Sequence, residues 1–363
     1  MKNKIARAGV GLDIGTTTVQ AQLIDLDTGN TLESVSVLNV QREFGTDVMS
    51  RIACARAGKL RELYTAINKQ VQVILHQFME KWNLSGIDLC TVSGNTTMLH
   101  LFINVNPHAM GEAPYSPEFL EERHFNGSDL SLPAEQIILL PGISAFIGAD
   151  IVAGLTFLDV INKKNNMLFV DIGTNGEIVV WKGSEKRLLC CSTAAGPCFE
   201  GEAITYGSDL IDAIARMKQQ GIVDKTGAMK DSYVNSGFIS EKGFTVTQET
   251  VRLFQLAKSA IYSGISVLCR TVGMKPSAFD EVYIAGRMGF YINLENAAET
   301  GLLPREFTKG VQVCENTSLK GAVKGLTDCS FLQKCKDIIA HSVTIDLAVD
   351  REFADAYIEN MWL

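Results

Sequence analysis

The segment Val10–Asp25, VGLDIGTTTVQAQLID, reads as a strand, a tight Gly-Thr turn and a second strand. Val19, Ala21 and Leu23 alternate with polar neighbours, which is the period-2 pattern of a half-buried hairpin. One carboxylate, Asp13, stands at the end of the first strand. The segment therefore predicts a hairpin with an acidic side chain beside its turn.

The turn of this hairpin carries the residue types of a phosphate site. Gly15 permits a tight turn and a close approach of the backbone to a ligand. Thr16, Thr17 and Thr18 offer hydroxyl and N–H groups to an anion. Asp13 repels a phosphate directly, so we expect Mg²⁺ between the two. A short D-x-G-T string also occurs in ordinary hairpins, and that alternative remains open for this copy alone.

The four residues Asp-Ile-Gly-Thr at positions 13–16 occur again at positions 171–174, about 160 positions later. Two matching hairpins at this spacing suggest two similar half-domains. The segment LFVDIGTNGEIVV covers residues 168–180. The duplication predicts an α/β chain of two half-domains with a nucleotide in the cleft between them.

The second hairpin supplies a second set of candidate residues. Asp171 matches Asp13 and is expected to share the Mg²⁺. The backbone of Gly173, Thr174 and Asn175 is expected to bind the β- and γ-phosphates. Glu177 follows on the next strand, where it faces either the nucleotide or solvent.

Two further features of the second half suggest contacts to the nucleoside. Gly286, Arg287 and Gly289 form a strand–Gly-x-x-Gly–helix turn, in which glycine lets a flat base approach the backbone and arginine can stack on it. Lys258 lies in a predicted helix among apolar residues. It either extends to solvent, as such lysines usually do, or contacts ribose or phosphate.

Composition excludes several classes of protein. The 363 residues are 46% hydrophobic and 20% charged, with a net charge of −8, which argues against a nucleic-acid partner. No apolar run reaches the roughly eighteen residues of a membrane span, and no signal-peptide pattern precedes the first strand. We therefore expect a cytoplasmic protein without a membrane partner.

The nine cysteines lack the spacing of a metal site. None forms C-x-x-C, so reduced, mostly buried thiols are expected, with no iron–sulfur cluster in this chain. A cluster bridging two subunits would have only Cys190, Cys191 and Cys198 as candidate ligands.

The order of elements supports two halves. Residues 1–160 are predicted as the first half, with an irregular insertion at about 106–133 that would shape a partner surface. Residues 161–363 are predicted as the second half, ending in a helical tail.

The two hairpins, the Gly-x-x-Gly turn and the Ala-Lys helix together resemble the superfamily of acetate and sugar kinases, seventy-kilodalton heat-shock chaperones and actin. A closer resemblance links the chain to the reductive activators of corrinoid proteins. It is carried by the strings SGNTTMLH (93–100), APYSP (113–117), AFIGADIVAG (145–154), FVDIGTNGEI (169–178), CSTAAGPCFEG (191–201) and GLLP (301–304).

This resemblance implies a fold, an activity and partners. The fold would be two ribonuclease-H-like, actin-like ATPase half-domains, each a mixed five-stranded sheet with helices. The activity would be ATP hydrolysis with Mg²⁺, driving reduction of Co(II) to Co(I) on a corrinoid protein. By matching positions, the nucleotide would bind at Asp13, Thr16, Thr17, Asp171, Thr174, Asn175, Lys258, Gly286 and Gly289.

The chain departs from the pattern of these activators in two respects. They usually carry an iron–sulfur domain, so electrons would come from a separate donor protein, or the redox role is lost. Arg287-Met288 also stands where small and aromatic residues are expected. A small-molecule kinase and a nonenzymatic, nucleotide-dependent binding protein remain alternatives, and the sequence leaves open whether the chain forms a homodimer.

Overall fold

The structure is a computed structural model, and it describes residues 5–173, 175–194, 197–199, 207–286, 291–308 and 310–363. The chain forms two compact units. The first comprises Met1–Asn162 and Asn316–His341, and the second comprises Lys163–Glu315 and Ser342–Leu363.

The first unit contains a six-stranded mixed sheet in the order β3-β2-β1-β4-β6-β5. The first three strands are antiparallel, β4 runs parallel to β1, β6 runs parallel to β4, and β5 is antiparallel to β6. The strand bounds are β1 Ala8–Ile14, β2 Thr18–Asp25, β3 Thr31–Leu38, β4 Ile87–Gly94, β5 Arg123–Asn126 and β6 Ala134–Leu139.

The helices of the first unit cover the sheet. They are Val48–Cys54, Leu60–Trp82, Thr96–Phe102, Ala149–Phe157, Thr317–Thr327 and Phe331–Ala340. The first two are joined by a π-helical turn, Ala55–Lys59, in which Gly58 has a φ of 93°. The sequence predicts an interruption at this glycine, because φ in this range is costly for other residues.

The second unit contains a six-stranded sheet in the order β13-β12-β7-β8-β9-β14 and a two-stranded ribbon β10-β11. The strand bounds are β7 Met167–Ile172, β8 Gly176–Lys182, β9 Arg187–Thr193, β10 Phe238–Ile239, β11 Thr245–Val246, β12 Glu281–Ala285, β13 Val311–Val313 and β14 Ser342–Thr344. Its described helices are Gly207–Gln219, Asp231–Val234, Gln248–Thr271, Leu294–Glu299 and Arg351–Glu359.

The central strands are buried on both faces because helices pack against them. All seven residues of β1 are buried, as are five of the six in β7. Helix Gln248–Thr271 begins with a capping box between Thr247 and Thr250 and presents a buried face that includes Phe254, Ile261 and Leu268. These central strands place Asp13 and Asp171 at the ends of rigid elements.

The predicted five strands per sheet are one too few in each unit. The insertion at 106–133 contains β5, which pairs with β6 at one edge of the first sheet. The tail contributes β14, which pairs with β9 at one edge of the second sheet, so this tail is not purely helical. Both strands are short, three or four residues, and their sequences give little periodicity to detect.

The division into compact units also differs from the predicted one, which assigned all of 161–363 to the second half. Residues Asn316–His341 group with the first unit. Helix Thr317–Thr327 packs on β1 and on helix Ala149–Phe157, which accounts for this grouping. None of the described helices is long and apolar enough to cross a membrane.

Candidate functional site

The turn of the first hairpin is closed by a bond from the Gly15 N–H to the Thr18 carbonyl, 3.0 Å long. The Asn95 amide group, which follows β4, donates to the Thr16 hydroxyl over 2.9 Å. Since β4 is parallel to β1 and pairs Gly94 with Ile14, the sheet register brings these two turns together. The turn is therefore supported from the neighbouring strand.

Two residues that the sequence analysis did not select bind the carbonyl groups of this turn. The Asn39 side chain donates to the Gly15 carbonyl at 2.8 Å, and its N–H donates to the Thr17 carbonyl at 2.9 Å. The Arg51 guanidinium donates to the Thr16 carbonyl at 2.5 Å. Both residues are almost fully buried.

The Thr18 hydroxyl oxygen is buried in the same turn and has no hydrogen-bond partner among the described residues. Buried polar groups are normally hydrogen-bonded, and an exception calls for a reason such as a ligand. The turn thus offers a hydroxyl that a bound anion can satisfy.

Asp13 is 9% exposed, and both of its carboxylate oxygens accept hydrogen bonds. The Asn316 amide donates to Oδ2 over 2.6 Å and the Ser318 hydroxyl donates to Oδ1 over 2.8 Å. Since Ser318 donates to Asp13, the Ser93 hydroxyl, 2.8 Å away, donates to Ser318. Burial raises the pKa of Asp13, and the bonds from Asn316 and Ser318 oppose that rise.

Asn316 and Ser318 lie at the start of helix Thr317–Thr327, with Asn316 as its N-cap. The partial positive charge of a helix N-terminus also favours the ionised form of Asp13. Asparagine before an apolar-periodic segment predicts a helix start, but it does not predict a contact with a residue some three hundred positions earlier.

The second hairpin repeats part of this arrangement. The Gly173 N–H donates to the Asn175 carbonyl over 2.9 Å. Asp171 pairs directly with Glu177 across antiparallel strands, so the two carboxylates lie on one face of the sheet. The Ser192 hydroxyl donates to Glu177 Oε1 at 3.4 Å. Thr174 lies outside the described residues.

Gly286 is brought directly to Asp171, because β12 runs parallel to β7 and pairs Ala285 with Asp171. Its φ is +84°, and a Cβ at this position would lie 2.4 Å from Asp171 Oδ1 and 2.5 Å from the Ile172 carbonyl oxygen. Only glycine fits both the conformation and the space. The other two residues of the predicted turn, Arg287 and Gly289, lie outside the described residues.

Lys258 neither extends to solvent nor contacts the hairpin motifs in any described interaction. It is 2% exposed, and its ammonium group donates to the Trp362 carbonyl in the tail. Burial and the charge of Lys218 lower its pKa to about 8. Lys258, Lys218, Tyr262 and Arg305 are among the residues that line a cavity of about 680 Å³ in the second unit.

The second unit also contains a buried hydroxyl without a described hydrogen-bond partner. Thr193, at the end of β9, is 5% exposed, and its oxygen has no hydrogen-bond partner among the described residues. Its register partner across the sheet is Gly176, the first residue after the second turn. The sequence shows it only as one threonine in a string of small residues, which gave no reason to select it.

Six of the nine cysteines are buried and have the character of packing residues. No disulfide joins the nine, all of which lie in the described part of the chain. Burial raises the pKa of Cys190 to about 11 and that of Cys198 well above its usual value, so these thiols are protonated at neutral pH. Within the described ranges no group of three or more His, Cys, Asp or Glu side chains is arranged to hold a metal ion.

Two mixed β-sheet units that each carry an Asp-Ile-Gly-Thr hairpin are typical of the actin-like fold class. The family models agree in detail: residues 8–163 match the RACo middle region, and residues 165–209 and 206–363 match the C-terminal domain of RACo, the ASKHA domain. The chain belongs to the RACo family.

Individual relatives are similar over almost the whole chain. The corrinoid activation enzyme RamQ of Eubacterium limosum is 32% identical over 97% of this chain and 70% of its own length. The [Co(II) methylated amine-specific corrinoid protein] reductase of Methanosarcina barkeri is 27% identical, over 96% of this chain and 76% of its own. A solved structure, the reductive activator for corrinoid, iron-sulfur protein, has a TM-score of 0.87 and 28% identity, covering 100% of this chain and 67% of its own.

Proposed function

We propose that this chain binds ATP with Mg²⁺ at its two hairpin motifs and uses ATP hydrolysis to drive reduction of Co(II) to Co(I) on a corrinoid protein. The names of the relatives support the corrinoid partner, and membership of the RACo family supports the ATPase. The observation that carries the site is the turn Gly15–Thr18. Asn39 and Arg51 hold the carbonyls of its first three residues, and its Thr18 hydroxyl has no partner among the described residues.

The residues of the hairpins fit such a ligand. The N–H groups of Thr16 and Thr17 and the Thr18 hydroxyl would bind phosphate oxygens, while the Gly15 N–H closes the turn. In the second hairpin, the Gly173 N–H closes the turn onto the Asn175 carbonyl, and the backbone N–H groups that follow it would do the same. Gly286 lets the backbone lie against Asp171, where any side chain would collide with the carboxylate.

The carboxylates have separate roles in this proposal. Asp13 and Asp171 would hold Mg²⁺ through its water molecules, since Mg²⁺ keeps several waters and needs only one or two carboxylates. The ion supplies positive charge opposite the phosphates when it is bound. Glu177, on the same face as Asp171, would orient the attacking water.

The redox step takes one electron for each cobalt. A separate low-potential donor gives up one electron, Co(II) becomes Co(I), and ATP and water become ADP and phosphate. Hydrolysis would favour the partner-bound conformation in which this uphill transfer occurs.

The experiment is ATP hydrolysis under anaerobic conditions, with and without a Co(II) corrinoid protein. We expect slow turnover that the corrinoid protein stimulates. Asp13→Asn and Asp171→Asn should lower it by at least about a hundredfold, because each removes a charge that faces the metal. Asp27→Asn, in the exposed turn between β2 and β3, is the matched control and should hydrolyse ATP normally.

Three results would contradict the proposal. Undiminished turnover in both hairpin variants would reject the assigned site. Turnover indifferent to the corrinoid protein would reject the partner. Stimulation only by a small hydroxylated or carboxylated metabolite would point to a kinase instead.

A further inference from the structure

The carbonyl groups of Gly15, Thr16 and Thr17 are all occupied by two residues that follow β3 in the chain. Asn39 donates to the Gly15 carbonyl at 2.8 Å and to the Thr17 carbonyl at 2.9 Å. Arg51 donates to the Thr16 carbonyl at 2.5 Å. Three consecutive carbonyls therefore have fixed directions.

The direction of a carbonyl fixes the direction of the next N–H group. In a planar trans peptide the C=O of one residue and the N–H of the next point to opposite sides. When Asn39 and Arg51 bind the carbonyls of Gly15, Thr16 and Thr17, they direct the N–H groups of the following residues away from themselves. Successive N–H groups presented in this way form the concave surface that binds anions.

Arg51 is itself held firmly. It lies in helix Val48–Cys54 and is 0% exposed. Its Nε donates to the Gly45 carbonyl at 3.0 Å, and its Nη1 lies 3.0 Å from the Met98 sulfur and 3.5 Å from Gln41 Oε1. A planar guanidinium with contacts on three sides has one orientation, so the Thr16 carbonyl is fixed with it.

Burial of this charge also bears on the ligand. The buried guanidinium of Arg51 binds a carbonyl of the turn and makes the electrostatic potential there more positive. The low-dielectric interior screens this charge only weakly. The potential favours an anion on the open side of the turn, the side of the N–H groups.

We propose that Arg51 is a positioning residue for the phosphate-binding turn Gly15–Thr18. It holds the Thr16 peptide in the orientation that presents the N–H groups of the turn, and it does so through the backbone without touching the nucleotide. This inference rests on the proposed binding of ATP.

The test compares Arg51→Met, Arg51→Lys and Arg56→Met. Arg56 lies in the adjoining π-helical turn and forms a surface ion pair with Glu112, so its replacement by methionine is the matched control. The dissociation constant of Mg-ATP is measured by calorimetry, and the local order of the turn by hydrogen exchange of the peptide that covers residues 13–20.

We expect Arg51→Met to raise the dissociation constant by at least about tenfold, the equivalent of one lost interaction of ordinary strength. Hydrogen exchange should increase in residues 13–20 and stay unchanged in the second unit. Lysine keeps the charge but lacks the planar, rigid array of guanidinium donors, so Arg51→Lys should raise the constant by about threefold. Arg56→Met should match the unmodified protein in both measurements.

The outcomes separate this inference from the proposed function. If the unmodified protein does not bind Mg-ATP, the proposed function fails. If it binds, and folded Arg51→Met binds equally well with unchanged exchange in residues 13–20, the positioning role fails. If Arg51→Met does not fold, Arg51→Lys decides, and values equal to those of the unmodified protein in both measurements overturn the inference.

Discussion

Asp13 and Asp171 occupy the same motif but differ in their surroundings. Asp13 is buried and accepts hydrogen bonds from Asn316 and Ser318, whereas Asp171 lies beside Gly286 and opposite Glu177. A second carboxylate near Asp171 adds negative charge, which a divalent cation would offset.

Replacement of Gly286 by alanine tests the contact with Asp171. We expect Gly286→Ala to lower the free energy of unfolding by about 2–4 kcal/mol, because it combines left-handed strain with a Cβ that collides with Asp171 and Ile172. Urea unfolding measures the loss, and Mg-ATP titration should show weakened binding.

The matched control is Gly273→Ala, since Gly273 has a φ of +67° and no heavy atom within 4 Å of the added Cβ. It should lose only the strain, on the order of 1 kcal/mol. Equal losses in the two variants would show that the approach to Asp171 has no energetic weight.

The lowered pKa of Lys258 predicts that the stability of the folded protein depends on pH. Its pKa in the folded protein is about 8, against an ordinary value of 10.5, so between these values the unfolded chain binds more protons. The free energy of unfolding should therefore rise with pH across this window, by up to about 3 kcal/mol. The measurement is urea unfolding at several pH values, comparing Lys258→Met with the unmodified protein.

In Lys258→Met this rise should be absent, while replacement of the exposed Lys242 by methionine should leave it intact. The same rise in Lys258→Met as in the unmodified protein would show that Lys258 is not the group that titrates.

At the scale of elements, helix Thr317–Thr327 holds the first unit together. Thr317 packs against Gly154 of helix Ala149–Phe157, and Gly321 packs against the Ala153 backbone. The same helix carries Ser318 and is capped by Asn316, so its packing decides where the two partners of Asp13 lie. Glycine at the crossing is what allows this close approach.

Substitution of Gly321 sets helix propensity against packing. Gly→Ala in a helix interior stabilises by about 1 kcal/mol when space is available. At Gly321 the new Cβ would lie 2.3 Å from the Ala153 carbonyl oxygen, so we expect Gly321→Ala to destabilise by about 1–3 kcal/mol instead. Urea unfolding measures whether the free energy of unfolding rises or falls in Gly321→Ala.

Gly325→Ala in the same helix is the comparison, because its Cβ would come no closer than 3.3 Å to any atom, the nearest being a Phe331 ring carbon. Its stability should change much less than that of Gly321→Ala. Equal effects on stability would mean that the helix crossing tolerates a methyl group.

At the scale of the whole molecule, the sequence predicted the two-fold repetition and most of its elements. The hairpins of β1–β2 and β7–β8, the long helix ending at Thr271 and strand β12 all lie where the residue patterns place them. These elements have strong periodicity or turn residues that act locally. The fold class and the corrinoid-activator family are confirmed by the family models and the relatives.

What the sequence did not predict depends on contacts between distant residues. Segment Asn316–His341 belongs to the first unit, and its Asn316 and Ser318 bind Asp13, which lies far from them in the sequence. Arg51 supports the first turn from a helix whose sequence shows only an ordinary basic residue. The roles of the site residues stay predictions until binding is measured.

The measurement that tests the account most directly is the appearance of Co(I) in a Co(II) corrinoid protein. The corrinoid protein is mixed anaerobically with this chain and a low-potential one-electron donor, and the absorbance of Co(I) is followed after addition of ATP, ADP or a nonhydrolysable ATP analogue. We expect Co(I) to form with ATP but not with ADP or the analogue, and not to form when Asp171→Asn replaces the unmodified protein. Co(I) that forms equally without ATP, or fails to form with it, would contradict reduction driven by ATP hydrolysis.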